Sequence, residues 1–568
     1  MTQILFDQVR DFTGGINYRA DQFQLAKNES PQIINLEVDP RGGVFSRAGY
    51  KKKHTTAVSG NWNPKSLFNY KYQSAPRIML TTGYESVGPV DGRVYSSTGS
   101  NFSTLDSALS TPLNVKSPNG ASMTQWEDIL YIALGKDATQ MYKWDATNTY
   151  ATALTASGPT WQPYETGGSG YMPRAELAIA HANKLFVANT YENGVEYPNR
   201  IRWSHENLPE AWYQQDYIDI IAGGDGIRGL QILDGQLVIF KPKAVYLLMG
   251  YDADSFQLVE LTTIIGIDTP QQAVAGSGGV YFFDYPLGLF FYDRNGIRNL
   301  FDRLKPIIDE DRINANKLED VTLSFVNDRL WISMPFDIDN SGSNPDYPNC
   351  NFMFDPSIGR QGAFVLFQSA TYDSEAETDI TGWGLLSGID WQDSTEDVWH
   401  LMIHPDPNFK FVMYVDEYDN TADDIPSGAN DGDIFTSYTT SWFYDDRYVQ
   451  DKTFVKSLYV VKSVEEETQI RVNVYHDFNS SDIVTSHTVT LIPVTTGGVY
   501  GTGIYGTSVY GESQLRQGIQ VGGRLKTAKA VQLEFVGPTG DLTNTLGRAW
   551  GINSIAFKYK RRKIRSTK

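Results

Sequence analysis

Two histidines four positions apart are the first residues of this sequence whose spacing could do chemistry. His400 and His404 form an H-x-x-x-H pair, which on a helix places both imidazoles on one face and can hold zinc. The surrounding VWHLMIH reads as a β-strand, however, where residues four apart stand about 13 Å from each other. No glutamate follows in the pattern of a zinc protease. We interpret both residues as strand histidines rather than metal ligands.

A second candidate is an acidic turn that resembles the start of a calcium loop. Asp337, Asp339 and Ser341 offer oxygen atoms at alternating positions, and Gly342 permits a tight turn. The twelfth position is Pro348 rather than glutamate, which excludes an EF-hand. The sequence favours a surface turn here, with a loose calcium site as the alternative.

The glycine-rich stretch 222–229 and the single cysteine are the next candidates. The stretch lacks the strand-to-helix context and the lysine of a phosphate loop, so we expect a connection between β-hairpins. Cys350 begins a strand, which favours a buried thiol. One cysteine also excludes an intrachain disulfide and a cysteine-based zinc site.

Acid pairs are plentiful but carry no specificity. Asp423/Asp424 and Asp445/Asp446 stand among 67 acidic residues, so neither pair indicates glycoside hydrolysis. No G-x-S-x-G motif marks a nucleophilic serine. The sequence therefore predicts no catalytic, metal-binding or cofactor-binding residue, and a protein that is not an enzyme.

The composition indicates which elements position these residues. Of 568 residues, 13% are aromatic and only 20% are charged, with 50 glycines and 25 prolines. Aromatic residues favour strands, while glycine and proline favour tight turns. The chain is thus predicted to be all-β.

The charge distribution is asymmetric. The net charge is −19, which opposes general nucleic-acid binding by counterion release, yet residues 558–568 (KYKRRKIRSTK) are strongly basic. The N-terminus lacks a secretory pattern, and no apolar run reaches about 18 residues, so we expect no membrane span and synthesis in a reducing compartment.

A weak repeat of apolar hairpins runs from about residue 78 to residue 415. A period of about 40 to 50 residues of antiparallel hairpins is typical of a β-propeller, and the pattern allows six or seven blades. Consecutive β-sandwiches are the alternative. The first strands of the hairpins centre near Leu80, Leu130, Leu185, Leu237, Val280, Leu330 and Trp399.

The pattern predicts five regions. They are an extended N-terminal arm (1–60), a propeller-like domain (61–415), an acidic linker or exposed loop (416–434), a β-sandwich (435–560) and a basic tail (561–568). Within the sandwich, Tyr500, Tyr505 and Tyr510 recur every five residues, each followed by glycine. This loop is expected to present tyrosines at a surface, where they could stack on sugar rings.

Two segments resemble the nozzle, or distal tail tube, proteins of short-tailed bacteriophages (tail tubular protein B-like). The first is an arm with a "GG-N…D…L…N-E" pattern and an "R-x-G" stop, and the second is an "R-x-x-W-S…W" strand that leads into a "V-I-F-K…Y-x-L" hairpin. The matching residues are Gly14, Gly15, Asn17, Asp21, Leu25, Asn28, Glu29, Arg47 and Gly49, then Arg202, Trp203, Ser204, Trp212, Val238, Ile239, Phe240, Lys241, Tyr246 and Leu248.

The resemblance implies a structural subunit of a virion tail, assembled in the host cytoplasm. It implies a homohexamer below an adaptor ring, with tail fibres or spikes as further candidate neighbours, around a channel for genomic DNA. An acidic lumen suits this role because it repels phosphates. The basic tail could dock on an adaptor, and the arm Gly14–Arg47 could wrap a neighbouring subunit. The alternative function is a receptor- or glycan-binding tail protein.

Overall fold

The computed structural model describes most of the chain. The described residues are 4–21, 23–60, 62–73, 75–86, 89–107, 111–154, 173–192, 194–213, 215–224, 226–252, 254–338, 341–342, 345–358, 362–369, 382–416, 422–424, 432–444, 451–461, 468–491, 517–521, 527–537 and 550–561. Within them the protein is all-β, as predicted. The described helices are short and are confined to Pro270–Gln272, Asp302–Leu304, Lys305–Asp309 and Ala315–Asp320.

In the described residues, seven mainly antiparallel sheets form the propeller, one per blade. Blade 1 consists of Pro64–Tyr72, Ala75–Thr82, Val94–Ser97 and Ser103–Thr104. Blade 2 consists of Ser122–Trp126, Ile129–Ala133, Tyr142–Trp144 and Tyr150–Ala153, with a parallel edge strand Asp106–Ser107. Blade 3 consists of Arg174–His181, Lys184–Glu192, Val195–Trp203 and Tyr217–Asp219, and blade 4 consists of Gly229–Leu233, Gln236–Lys241, Ala244–Met249 and Gln257–Thr262. Blade 5 consists of Ala273–Gly276, Gly279–Asp284, Gly288–Asp293 and Gly296–Asn299. Blade 6 consists of Thr322–Val326, Arg329–Met334, Cys350–Asp355 and Ala363–Phe367. Blade 7 consists of Leu386–Gln392, Val398–Ile403, Val412–Asp416 and Gly49–Lys52.

The apolar segments of the sequence repeat are the second strands of the blades rather than the first. Each is buried on both faces, as in Gln236–Lys241, because neighbouring blades cover it on either side. The first strands, such as Ser122–Trp126, are only half-buried and mix polar with apolar residues. They line the propeller axis, which explains why their pattern is weaker in the sequence.

The first strands meet around the axis and close the ring. The Ser122 hydroxyl donates to the carbonyl of Ala178 at 3.2 Å, which joins blade 2 to blade 3. The Ser324 hydroxyl accepts the N–H of Gly388 at 2.7 Å and joins blade 6 to blade 7. The Leu67 N–H donates to Ser387 at 3.2 Å, which joins blade 7 back to blade 1.

The C-terminal sandwich shares its two sheets with the arm and with blade 6. Ile34 pairs with Leu366 of blade 6 on one side and with Ser437 on the other, so one nine-stranded sheet passes from the propeller into the sandwich. The first sheet adds Gln32–Ile34, Thr436–Thr439, Val531–Gly537, Thr468–His476 and Thr485–Leu491 to blade 6. The second contains Gln517–Val521, Lys452–Val461, Gly551–Arg561, Val44–Ser46, Leu36–Val38, Ile4–Val9 and Thr527–Ala528.

The described part of the arm belongs to this chain's own sheets. Ile4–Val9 pairs with the last strand, Gly551–Arg561, and the segment Gly49–Lys52 completes blade 7 as its fourth strand. Gly15 has a φ of +65° and lies against the backbone of Phe364, where a Cβ atom would stand 2.9 Å from a main-chain atom. The paired glycines of the arm thus permit a close approach to blade 6.

A buried ion pair fixes the end of the arm. The guanidinium of Arg47 binds both carboxylate oxygens of Asp423, at 2.9 and 2.5 Å, and the two side chains are 1% and 0% exposed. The same guanidinium donates to the side chain of Asn35 at 2.9 Å and to the carbonyl of Gln368 at 2.6 Å. It also lies 4.0 Å from the centre of the Tyr50 ring. These contacts join the arm, blade 6 and the segment that follows blade 7.

The acid pair Asp423/Asp424 has a structural role. Asp423 accepts the N–H of Tyr50 at 2.8 Å, and Asp424 accepts the N–H of Lys52 at 2.7 Å. The two carboxylates therefore accept hydrogen bonds from Gly49–Lys52, the fourth strand of blade 7, on its outer side.

We expect Arg47→Met to destabilise the protein by about 3–5 kcal/mol, because it leaves the Asp423 carboxylate buried without its cation. The measurement is urea-induced unfolding at neutral pH. As a control, Arg19→Met breaks an ion pair with Asp302 that is more than half exposed, and should cost less than about 1 kcal/mol. Equal losses in the two variants would contradict this account of the arm.

Candidate functional site at the propeller axis

The first strands of the blades enclose a cavity of about 440 Å³ on the propeller axis. Its wall is mainly apolar and half-buried, with a side chain from each of the seven blades. The apolar lining includes Phe68, Met123, Ile179, Leu230, Val274, Leu323 and Ile389. A cavity of this size accommodates a small molecule.

Contacts between blades lie at one end of the cavity, and one of them joins two lining residues. The Gln271 amide of blade 5 donates to the carbonyl of Asn119, before blade 2, at 2.6 Å. Lys65 of blade 1 lies 3.4 Å from the Asp320 carboxylate, before blade 6. All four residues lie at or just before the start of a first strand, so they close the end where these strands begin.

Glu176 is the carboxylate that lines the cavity next to this bridge. It accepts a hydrogen bond from Ser117, whose hydroxyl in turn accepts the N–H of Asn119 at 3.1 Å. Burial raises the pKa of Glu176 above its usual value, and the hydrogen bond from Ser117 partly offsets that shift. The Glu176 carboxylate thus stabilises, through Ser117, the position of Asn119 at the closed end of the cavity.

The other end opens onto a face built from the turns between strands 1 and 2 and between strands 3 and 4. These turns contact each other within and between blades. The N–H of Gln73 donates to Asp128 at 3.0 Å, the N–H of Asn207 donates to Asn183 at 2.9 Å, and Arg294 pairs with Asp234 at 2.6 Å. We call this surface the acidic face.

Exposed carboxylates dominate the acidic face. They are Glu127, Asp128, Glu206, Asp234, Asp252, Asp254, Asp328, Asp390, Glu396 and Asp397. The exposed cations of the same described turns and strand ends are Lys71, Arg294 and Arg298. Carboxylates on one surface create a negative potential that repels phosphates and attracts cations. The sequence signal is one or two acidic residues at a hairpin turn (WED, LDG, VND, STED), which by itself indicates only a turn.

The structure separates the two histidines of the sequence pair. His400 lies in Val398–Ile403, and its Nδ1 is 2.7 Å from Asp390 Oδ1. His404 follows the strand, is buried, and packs against the ring of Phe409 at 4.7 Å between centroids. Burial lowers the pKa of His404 to about 3. Within the described residues, no group of three or more His, Cys, Asp or Glu side chains is arranged to hold a metal ion.

The acidic turn that resembles the start of a calcium loop is held by its own backbone. The Asp337 carboxylate is buried and accepts the N–H of Ser341 at 3.2 Å and that of Gly342 at 2.7 Å. These bonds order a turn between the second and third strands of blade 6. Asp339 lies outside the described residues.

The other candidates from the sequence either contribute to the fold or lie outside the described residues. The described part of 222–229 connects blade 3 to blade 4 with glycines of positive φ. Cys350 begins a blade 6 strand, and burial raises the pKa of its thiol well above the usual range. Outside the described residues lie Asp445, Asp446, Tyr500, Tyr505, Tyr510 and the tail residues 562–568.

The charged residues of the mid-chain pattern stabilise blades 3 and 4. Arg202 is buried and pairs with Glu192 at 3.1 Å, which also binds Arg200 at 3.1 Å. Lys241 is fully buried, and its ammonium donates to the side chain of Asn199 at 2.8 Å. The sequence pattern did not indicate Glu192, because its partners Arg200 and Arg202 lie on the next strand.

No helix in the described part of the chain is long and apolar enough to cross a membrane.

Comparisons with known proteins found only distant structural likenesses. No family model and no curated protein matches the chain. A structure of BBS1N in complex with ARL6DN is similar at 10% identity and a TM-score of 0.35, over 66% of this chain and 96% of that one. PorZ, a surface component of the type-IX secretion system of Porphyromonas gingivalis, is similar at 10% identity and a TM-score of 0.38, over 82% and 60%. A Trypanosoma rangeli sialidase is similar at 10% identity and a TM-score of 0.26, over 99% and 97%. Some of the similar structures are enzymes, and likenesses this low carry no argument about the fold or the activity of this chain.

We expect the buried His404 to make stability fall in mild acid. Its pKa of about 3 lies below the 6.5 of an unfolded chain, so the unfolded state binds the extra proton between those values. Relative to His404→Gln, the wild type should lose about 2 kcal/mol of unfolding free energy between pH 7 and pH 5. Urea titrations at both pH values measure this difference. Identical pH profiles would show that His404 is not buried as described.

Proposed function

We propose that this protein is a structural subunit of a bacteriophage tail, the nozzle or distal tail tube. In this proposal six copies form a ring around a channel with an acidic lumen, through which genomic DNA is ejected. The observation that carries the proposal is the acidic face, where exposed carboxylates far outnumber cations. A duplex slides past such a surface without being retained, because phosphates gain no counterion release from it.

The axis of one propeller is not itself the DNA passage. Its cavity has the volume of a ligand site, and the Gln271–Asn119 hydrogen bond, between two residues of its lining, spans it. A conduit must therefore lie between copies of the chain, with acidic faces turned toward it. This requirement favours a ring over a monomeric pore.

The resemblance of the arm and the mid-chain hairpins to tail nozzle proteins supports the same role. On this proposal the subunit is not an enzyme and lies in the virion tail after assembly in the host cytoplasm. An adaptor ring lies above it, tail fibres or spikes are further candidate neighbours, and DNA passes transiently without sequence-specific binding.

Reversing charge on the acidic face should make the protein retain DNA. We expect the triple variant Asp328→Lys, Glu396→Lys, Asp397→Lys to shift a short duplex in a gel at about 50 mM salt, with affinity that falls steeply as salt rises. The wild type should not shift it.

The matched control reverses three exposed carboxylates away from the acidic face: Asp309→Lys, Glu310→Lys and Glu319→Lys. It has the same net charge as the first variant and should retain DNA weakly or not at all. Strong DNA binding by the wild type, or equal binding by the two variants, would contradict a non-retaining acidic face.

A further inference from the structure

The walls of the axial cavity carry apolar surface that the described part of the chain leaves half uncovered. Six apolar side chains of the lining are half-buried, and each packs against an apolar core cluster on one side while it borders the cavity on the other. They are Phe68, Met123, Ile179, Leu230, Val274 and Ile389. Contact with an apolar ligand removes such surface from water, which is favourable. The cavity therefore suits the apolar part of a small molecule.

Glu176 supplies the charge of this cavity. Of the described residues that line it, Glu176 is the only one with an ionisable side chain. It lies in the first strand of blade 3, Arg174–His181, three residues and about 10 Å before Ile179. The carboxylate therefore lies toward the closed end, and the apolar wall extends from it toward the opening.

The Glu176 carboxylate can accept more hydrogen bonds than the fold gives it. Oε1 accepts the hydroxyl of Ser117, and Oε2 lies 3.4 Å from the N–H of Lys136, which is a long contact. An ionised carboxylate has about four acceptor positions. Among the described residues no cation forms an ion pair with Glu176, because the ammonium of Lys136 binds Glu196 instead, at 2.6 Å.

A carboxylate in this position favours a ligand that brings a positive charge. Burial raises the pKa of Glu176 because it withdraws water from the ionised form. A ligand ammonium replaces that water with charge-assisted hydrogen bonds, whereas a ligand carboxylate is repelled. A metal ion needs several such side chains, and no such group is found among the described residues.

The mouth of the cavity has the same preference. It opens onto the acidic face, whose exposed carboxylates outnumber its exposed cations. The negative potential of such a surface raises the local concentration of cations and lowers that of anions. The route into the cavity and its closed end therefore select for the same sign of charge.

We propose that the axial cavity binds a small primary amine with an apolar body, such as an arylalkylamine. The ammonium binds the Glu176 carboxylate at the closed end, and the apolar body contacts the half-buried side chains toward the opening. A bare cation would leave the apolar wall in contact with water, and a neutral apolar molecule would leave the carboxylate without a countercharge. All lining residues belong to one copy of the chain, so the site does not depend on ring assembly.

The test is isothermal titration calorimetry of the full chain at pH 7 with phenethylamine and with 2-phenylethanol, which share an aromatic body and differ in an ammonium against a hydroxyl. We expect saturable binding of phenethylamine and affinity for 2-phenylethanol at least about tenfold weaker. Glu176→Gln should weaken phenethylamine binding by a similar factor and leave the binding of 2-phenylethanol unchanged. Val274→Trp, which places a larger side chain in the cavity, should weaken the binding of both probes.

The matched control is Glu260→Gln, which removes one carboxylate from Gln257–Thr262, the outermost strand of blade 4, away from the axis. It should bind phenethylamine like the wild type. Thermal unfolding checks that every variant is folded, and the comparison of the two probes on the wild type needs no variant. Absence of saturable binding, equal affinity for the two probes, unchanged phenethylamine binding in Glu176→Gln, or unchanged binding of both probes in Val274→Trp would each overturn the proposal. The charge-reversal variants of the acidic face test DNA retention independently of these outcomes.

Discussion

The buried pair of Arg47 and Asp423 joins parts of the chain that lie far apart in sequence. Neither charge reaches solvent, so each must be compensated by its partner and by fixed hydrogen bonds. That requirement places the end of the arm between blade 6 and blade 7 and aligns Gly49–Lys52 as the last strand of the ring. Because other segments of the arm pair within both sandwich sheets, one electrostatic contact constrains the closure of the propeller and its attachment to the sandwich.

The blades could be predicted from the sequence because their second strands are covered on both sides. Such strands are continuous apolar runs, for example around Leu237 and Val280, and these runs recur with a blade's spacing. The first strands line a cavity and mix residue types, so their pattern is weak. The role of Gly49–Lys52 could not be predicted, because its partner strand Val412–Asp416 is remote and local pattern does not encode such pairing.

The candidate sites show the same difference between local and long-range information. The strand position of His400 could be predicted from local alternation, whereas His404 lies just after the end of that strand. The link between Arg47 and Asp423 joins one residue of the arm pattern to a residue of the predicted acidic linker, and only the fold brings them together. The acidic face could not be predicted from the sequence for a related reason. Each turn contributes only one or two carboxylates, and they form one surface only because the fold brings the turns to one side of the ring.

The central claim is that copies of this chain assemble into a ring around a channel. Electron-microscopy class averages of the purified chain at high concentration test it most directly. The account predicts closed six-fold rings with a through-channel between subunits. A compact trimer or an extended fibre under the same conditions would contradict it and would favour a receptor-binding tail protein.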